Sequence, residues 1–103
     1  MTTPKKEEEV WDCITRAPFG EQVSVFTIIR DGDRFTGSNV AEIGELPVID
    51  GRIEGDKLVW KMPTRKPMPM TLVGKAVVDG DRLTGTVTMG AFGKAEMTGV
   101  RRG

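Results

Sequence analysis

The sequence repeats one short phrase, and the spacing of the turns that this phrase contains is the strongest constraint on the fold. DGDRFTG at residues 31–37 returns as DGDRLTG at residues 79–85, and EGDKLVW at residues 54–60 is a looser copy. The glycines in the three turns are 23 and 25 residues apart. A unit of about 24 residues is too short for most repeat solenoids, but it suits two strands and two turns.

A second set of turn-like sites lies midway between the copies of the phrase. These sites are PFGE at 18–21, EIGE at 42–45, RKPMP at 65–69 and GAFG at 90–93. Three turns of one kind and four of the other make seven turns and therefore eight strands. We place the strands near residues 10–17, 22–30, 34–41, 47–54, 57–63, 69–78, 82–90 and 94–101.

The residues around the turns favour antiparallel strands with one buried face. Asp-Gly tolerates positive φ at both central positions of a type I′ turn, or supplies the left-handed position of a slightly longer loop. Leu83 and Val87 then alternate with threonines, and Ile49, Gly51 and Ile53 alternate with charged residues. This period of two is typical of half-buried strands.

The predicted fold class is all-β, with eight antiparallel strands in an up-and-down meander that closes into a barrel. Closure removes the exposed edges that an open sheet would leave. An open or split meander that dimerises is the alternative. Residues 1–9, which include Lys5, Lys6 and a run of three glutamates, are predicted to be a disordered tail, and residues 10–103 a single barrel domain.

The composition narrows the classes of function. The 15 basic and 15 acidic residues give zero formal net charge, so nothing indicates nucleic-acid binding. The chain has no histidine, the commonest general base and a common zinc ligand, and we expect no metal and no cofactor. The apolar runs are too short for a membrane helix. Cys13 is the single cysteine, so no internal disulfide is possible and a cytoplasmic location is expected.

The phrase DGDRLTGTV, residues 79–87, resembles the turn-and-strand phrase of avidin- and streptavidin-type barrels. The resemblance implies the eight-stranded meander of that family. Avidins hold biotin with aromatic residues and a polar cluster that includes a tyrosine, and this chain has no tyrosine. The set WDCITRAPFGE, PMPMTL and DGDRLTGTV is also similar to a group of small bacterial barrel domains of uncharacterised function, which implies no catalytic residue.

One end of the predicted barrel is a candidate binding site. Each connection opposite the Asp-Gly turns carries an apolar residue where loops are usually polar, namely Phe19, Ile43, Met68 and Phe92. Ligand pockets favour the mouths of β-barrels, with apolar walls and a few polar groups. We interpret this end as an entrance. The alternatives are that the four side chains cover the core or contact another subunit.

The inner face supplies the other candidate ligand-binding residues, which are Trp11, Phe26, Asn39, Trp60 and Met62. Many of the remaining inward positions are small. A barrel of eight strands is filled by its own side chains or holds one small ligand. An empty void of about 150 Å³ would cost roughly 3–4 kcal/mol, so one of the two must fill the space. The alternatives are that the tryptophans are plain core and that Asn39 only ends its strand.

Two further residues have simple interpretations. Arg30 lies in the inward phase beside a turn, where we expect it to pair with Asp31 or Asp33, or else to bind an anion. Cys13 lies on an apolar face away from positive charge, which indicates an inert buried thiol.

Three functions stay open. The first is a non-enzymatic barrel that binds a small, mainly apolar molecule at the mouth. The second is a cofactor-free isomerase, cyclase or lyase with Glu45, Asn39 or Arg30 as candidate acid–base groups. The third is a structural or assembly module that acts through an apolar outer face. The outward phase of the second strand supplies Val23, Val25, Thr27 and Ile29 to this face, and the sixth strand adds Val73 and Val77. That face also predicts a homo-oligomer.

Overall fold

The computed structural model describes residues 7–17, 20–42, 44–65 and 69–102, which form a closed barrel of eight antiparallel strands in chain order. Each strand pairs with the next, and β8 pairs with β1 to close the barrel. The predicted meander is confirmed, and the open or split alternative is wrong. The strands are β1 Glu7–Ala17, β2 Gly20–Asp31, β3 Arg34–Ala41, β4 Gly44–Glu54, β5 Lys57–Thr64, β6 Met70–Asp79, β7 Arg82–Thr88 and β8 Lys94–Arg101, and a 3₁₀ turn, Gly90–Phe92, precedes β8.

The repeated phrase forms the three hairpin turns at one end of the barrel, which we call the turn end. In the first copy Asp31 pairs with Arg34 across a two-residue turn, and the other copies have the equivalent pairs. The first turn residue is always a glycine, with φ of 62–68°. The aspartate that follows does not have positive φ. The predicted type I′ turn is therefore wrong, and glycine at the first central position is typical of type II′ hairpins.

The turn aspartates also connect each hairpin to the next one. Their backbone carbonyls accept hydrogen bonds from the neighbouring hairpin or closing strand, all with an N···O distance of 2.8 Å: Ile53 N–H to Asp33, Val78 N–H to Asp56, and Arg101 N–H to Asp81. The repeated phrase therefore recurs because three hairpins use the same turn and make the same backbone contact with the next strand. The other four connections form the opposite end, which we call the loop end.

The first strand begins earlier than the sequence predicts. β1 begins at Glu7, and Glu9 pairs with Ile28 of β2. The last three residues of the predicted tail are therefore part of the barrel, and only residues 1–6 of that tail lie outside the described residues. The boundary was predicted too late because three consecutive glutamates do not show the apolar alternation of a half-buried strand.

An irregularity in β4 reverses the predicted alternation. Ile49 pairs with Lys61 while Arg52 pairs with Val59, so β4 has one extra residue between the two pairs. Asp50 lies at this point with φ of 52°, a left-handed conformation that is uncommon outside glycine. Ile49 is consequently 41 % exposed, and the prediction that it shares a face with Gly51 and Ile53 is wrong.

The core runs along the inside of the barrel from the turn end towards the loop end. Its buried side chains include Trp11, Phe26, Ile28, Phe35, Val48, Leu58, Trp60, Met62, Leu83 and Met97. Within the described ranges, no helix has the length and apolar character needed to cross a membrane.

Candidate functional site

In the sequence, the apolar residues that predict an entrance belong to the connections of the loop end. Phe19, Ile43 and Met68 lie outside the described residues, and Phe92 lies in the 3₁₀ turn but its side chain is outside them too. The apolar rim of the mouth therefore stays a prediction. The structure describes the inward residues beneath that rim, and these residues form the candidate site.

The middle of the lumen is filled by aromatic rings. The ring centroids of Phe26 and Trp60 are 4.9 Å apart, and those of Phe35 and Trp60 are 6.2 Å apart. Phe26 and Trp60 are completely buried. Stacked and tilted rings at these distances attract each other beyond the area they bury. Within the described residues, the barrel's own side chains therefore occupy its middle.

The small inward residues make room for these rings. A Cβ placed on Gly74 would lie 2.2 Å from the indole of Trp60, and a Cβ on Gly51 would lie 2.6 Å from the ring of Phe35. Such distances are far inside van der Waals contact. The sequence left open whether side chains or a ligand occupy the lumen. Above these two glycines the space is occupied by the side chains of Trp60 and Phe35.

A shallower apolar layer lies between the packed rings and the loop end. Leu46, Leu72 and Met89 are partly buried and pack against the core cluster. Met62 is completely covered beneath them, with 1 % of its surface exposed. We call this apolar layer, together with Met62 beneath it, the loop-end cup.

Polar atoms without partners lie at the floor of this cup. Ser24 is 4 % exposed, and its Oγ has no hydrogen-bond partner within the described ranges. The same is true of Asn39 Oδ1. Phe26 pairs with Asn39, and Ser24 is two residues from Phe26 on the same face, so Ser24 and Asn39 are diagonal neighbours with Cα atoms about 7–8 Å apart.

The amide of Asn39 is poorly satisfied in either orientation. Its Nδ2 donates to the sulfur of Met62 at 3.8 Å, a weak acceptor, and its Oδ1 accepts no hydrogen bond from the described residues. Exchanging the amide nitrogen and oxygen would place the oxygen against that sulfur and still leave one end free. Each unpartnered buried group costs about 1–3 kcal/mol, so these two atoms need an explanation.

The indole nitrogen of Trp60 is a third unpartnered buried atom. It lies beside Gly74 of β6, since a Cβ on that glycine would be 2.7 Å from it. Asn39 instead contacts Met62 of β5. The indole nitrogen and the Asn39 amide therefore lie against different strands.

The turn end is closed by a charged cluster that the sequence analysis missed. The carboxylate of Glu9 accepts hydrogen bonds from the indole N–H of Trp11, at 3.3 Å, and from the guanidinium of Arg30. Arg101 lies over the Trp11 ring, 5.0 Å from its centroid, in a cation–π contact. The predicted pairing of Arg30 with Asp31 or Asp33 is wrong, and Trp11 belongs to this cluster, not to the loop-end cup.

The catalytic candidates are not brought together. Glu45 is exposed, Arg30 is engaged with Glu9, and Asn39 lies in the cup. Among the carboxylates whose side chains are described, Glu9 alone is not exposed, and it is held at the turn end. No cluster of three metal-binding side chains occurs in the described part of the chain. The described part of the cup therefore contains no acid–base pair.

Cys13 is a buried thiol, as the sequence predicts. Burial, and secondarily the negative charge of Asp12, raises the pKa of Cys13 to about 12. The folded-state pKa lies above the ordinary value of 9.0, so any stability linked to this thiol is complete below pH 9 and is lost as the pH rises towards 12.

We expect Cys13 to be unreactive in the folded chain. The thiolate is the reactive form, and almost none is present at pH 8. A chromogenic disulfide reagent should label the native chain only as fast as it unfolds, and should label it at once in denaturant. Rapid labelling of the folded chain would show that the thiol is accessible.

Comparison with known proteins assigns no family. No model of a known protein family matches the chain, and no curated protein is detectably similar to it.

Proposed function

We propose that this chain is a non-enzymatic barrel that binds a small, mainly apolar molecule at the loop end. The molecule lies in the cup against Leu46, Leu72 and Met89, and its polar group meets Ser24 and Asn39. The observation that carries the proposal is the pair of unpartnered polar atoms, Ser24 Oγ and Asn39 Oδ1, beneath an apolar lining.

The energetic argument favours a ligand group at this place. Two unpartnered groups at about 1–3 kcal/mol each are a large cost against the roughly 5–15 kcal/mol of net stability typical of a small domain. A ligand that supplies both an acceptor for the serine hydroxyl and a donor for the amide oxygen would recover that cost on binding. A buried water could do the same, so the experiment must distinguish the two.

The proposal extends the likeness to avidin-type barrels from the fold to the use of one end as a binding site. An eight-stranded meander with aromatic rings in its lumen supports it, but no tyrosine is available for a biotin site. We propose a bacterial chain that works in the cytoplasm, where its single free thiol would persist. We propose no nucleic-acid or membrane partner.

The direct test is native mass spectrometry of the chain purified without denaturation, together with fluorescence titration of 8-anilino-1-naphthalenesulfonate. We expect a co-purified small molecule, and binding of the dye once that molecule is removed. If the chain carries no molecule and the folded protein binds no dye, the proposal is wrong.

Replacing Asn39 with leucine should separate binding from stability. Asn39→Leu removes an unpartnered amide, so we expect the free energy of unfolding to rise by about 1 kcal/mol. The same change removes the polar contact to the ligand, so dye or ligand affinity should fall about tenfold.

The matched control is Thr71→Val, a polar-to-apolar change at an exposed position of β6 near the same end. It should alter neither quantity. If Asn39→Leu raises stability and leaves affinity unchanged, the polar atoms hold water or nothing, and the binding site lies elsewhere.

A further inference from the structure

The outer face of β1, β2 and β3 is almost free of charge along most of its length. We call this face the β2 wall. Val23 is 69 % exposed and Val40 is 43 % exposed, and both lie on it. Between Glu21 and Asp31, the exposed acids at the two ends of β2, its one charged side chain is Asp12, which is paired with Arg102. The outward residues of the wall are Val10, Asp12, Ile14, Val23, Val25, Thr27, Ile29, Thr36, Ser38 and Val40.

The opposite wall has a different surface. Outward positions of β4, β5 and β6 carry Arg52, Lys57, Lys61 and Lys75. Val77 of β6 is 43 % exposed, as much as Val40, but lysines flank it on its own strand and the next. Isolated exposed apolar residues are normal, whereas a continuous uncharged face marks an interface. The β2 wall is therefore the distinctive surface of the barrel.

Exposed charges at the corners of the β2 wall are arranged in a self-complementary way. On the β1 side, Glu8 lies near the turn end and Arg16 near the loop end. On the β3 side the signs are reversed, with Arg34 near the turn end and Glu42 near the loop end. A two-fold axis parallel to β2 would bring β1 of one copy against β3 of the other, and so place acid opposite base at these four corners. Glu21 and Asp31, at the ends of β2, would lie near the axis and close to the same residue of the other copy.

We propose that the β2 wall is the interface with a second copy of this chain. The valine and isoleucine column of β2 packs against the same column of its partner, as two sheets pack face to face. Glu8 then faces Arg34 of the other copy, and Arg16, which also pairs with Glu21 of its own chain, faces Glu42. Zero net charge leaves no general repulsion between copies. This proposal does not depend on the ligand proposed for the loop end.

The number of residues in the β2 wall determines how tightly we expect the dimer to associate. The wall has fewer residues than the 20–30 or so on each side of a standard interface, so we expect a dimer that dissociates on dilution. Analytical ultracentrifugation from about 10 µM to 1 mM covers the relevant affinities. The mass should shift from monomer towards dimer over this range.

Two lysine substitutions test whether the dimer interface lies on the β2 wall. Val40→Lys places a charge within the β2 wall, and we expect it to weaken dimerisation about a hundredfold or more. Val77→Lys is the matched control, because that valine is equally exposed on the opposite wall, and it should leave the dimer intact. Circular dichroism melting confirms that both variants are folded.

A charge exchange tests the two-fold arrangement itself. Glu8→Arg and Arg34→Glu, made singly, each oppose like charges at two corners and should weaken the dimer about threefold to tenfold. The double variant restores opposite charges and should recover most of the affinity. If Glu8 and Arg34 do not face each other across the interface, the double variant should not regain the affinity that the single variants lose.

Three results would overturn the proposal. A wild-type chain that is monomeric up to about 1 mM has no useful self-association. Equal loss of the dimer in Val40→Lys and Val77→Lys would place the interface elsewhere. A monomeric chain whose β2 wall binds lipid vesicles would identify a different occupant.

Discussion

Gly37→Ala should lower the free energy of unfolding by about 4 kcal/mol or more, a large share of the roughly 5–15 kcal/mol that is typical of a small domain. A Cβ at residue 37 would lie 1.8 Å from the backbone oxygen of Thr27 and 2.9 Å from its carbonyl carbon. These are atoms of the neighbouring strand β2, so relief requires a movement of the sheet and not of a flexible side chain. Urea unfolding followed by tryptophan fluorescence would measure the loss.

Gly44→Ala provides the matched control for this prediction. The φ of Gly44 is 144°, close to the 157° of Gly37, but a Cβ there would meet nothing within 4 Å. The control therefore introduces similar backbone strain without the steric overlap, and we expect a loss of about 1–2 kcal/mol. Equal losses in the two variants would mean that backbone conformation, not contact with Thr27, makes glycine necessary at residue 37.

The order and number of strands could be predicted because local residues encode them. A glycine at the first position of each turn provides the positive φ that the hairpin needs. The three glycines are 23 and 25 residues apart, which is the length of one hairpin with its connection. Trp11, Phe26 and Trp60 could be placed inside by alternation alone, and all three are completely buried. Turn chemistry and period-two patterning are short-range signals, so a single sequence carries them.

The irregularity in β4 could not be predicted because its cause is not local. Asp50 adopts positive φ, as aspartate does more readily than most residues other than glycine, but period-two alternation does not indicate where this will occur. The neighbouring Gly51 lies against Phe35 of β3, where a side chain would overlap the ring and the backbone oxygen of that residue. The extra residue in β4 is therefore tied to packing across two strands, and the Asp50-Gly51 pair is its one local sign in the sequence.

The candidate site was predictable only in part. Asn39 and Met62 were singled out from the sequence, and the structure brings them into contact in the cup. The partial burial of Leu46 and the lack of a partner for Ser24 depend on how the eight strands close, which alternation does not specify. Alternation from Trp11 back to Glu9 was the one available signal for the turn-end cluster, and the charge of the segment hid it.

Glu9→Gln should lower the free energy of unfolding by about 2 kcal/mol. The Glu9 side chain is 12 % exposed and that of Arg30 is 23 % exposed, so the pair is partly removed from water. Breaking a fully buried pair costs about 3–5 kcal/mol, and the residual exposure of Arg30 reduces this amount. Glutamine still offers an acceptor to the Trp11 indole, so the measured loss reports the charge and not the hydrogen bond to the ring.

The control for the turn-end cluster is Glu21→Gln, which removes an exposed ion pair. Arg16 and Glu21 lie 3.7 Å apart with side chains 49 % and 63 % exposed, and solvated pairs of this kind contribute less than about 1 kcal/mol. Added salt should screen the small Glu21 effect more than the Glu9 effect, because water and ions reach the turn-end cluster poorly. If the two variants lose equal stability, and salt removes both losses, then Glu9 acts as a surface charge. In that case the closed turn end would owe its stability to the Trp11–Arg101 contact and to the three aspartate carbonyl bonds between neighbouring strands.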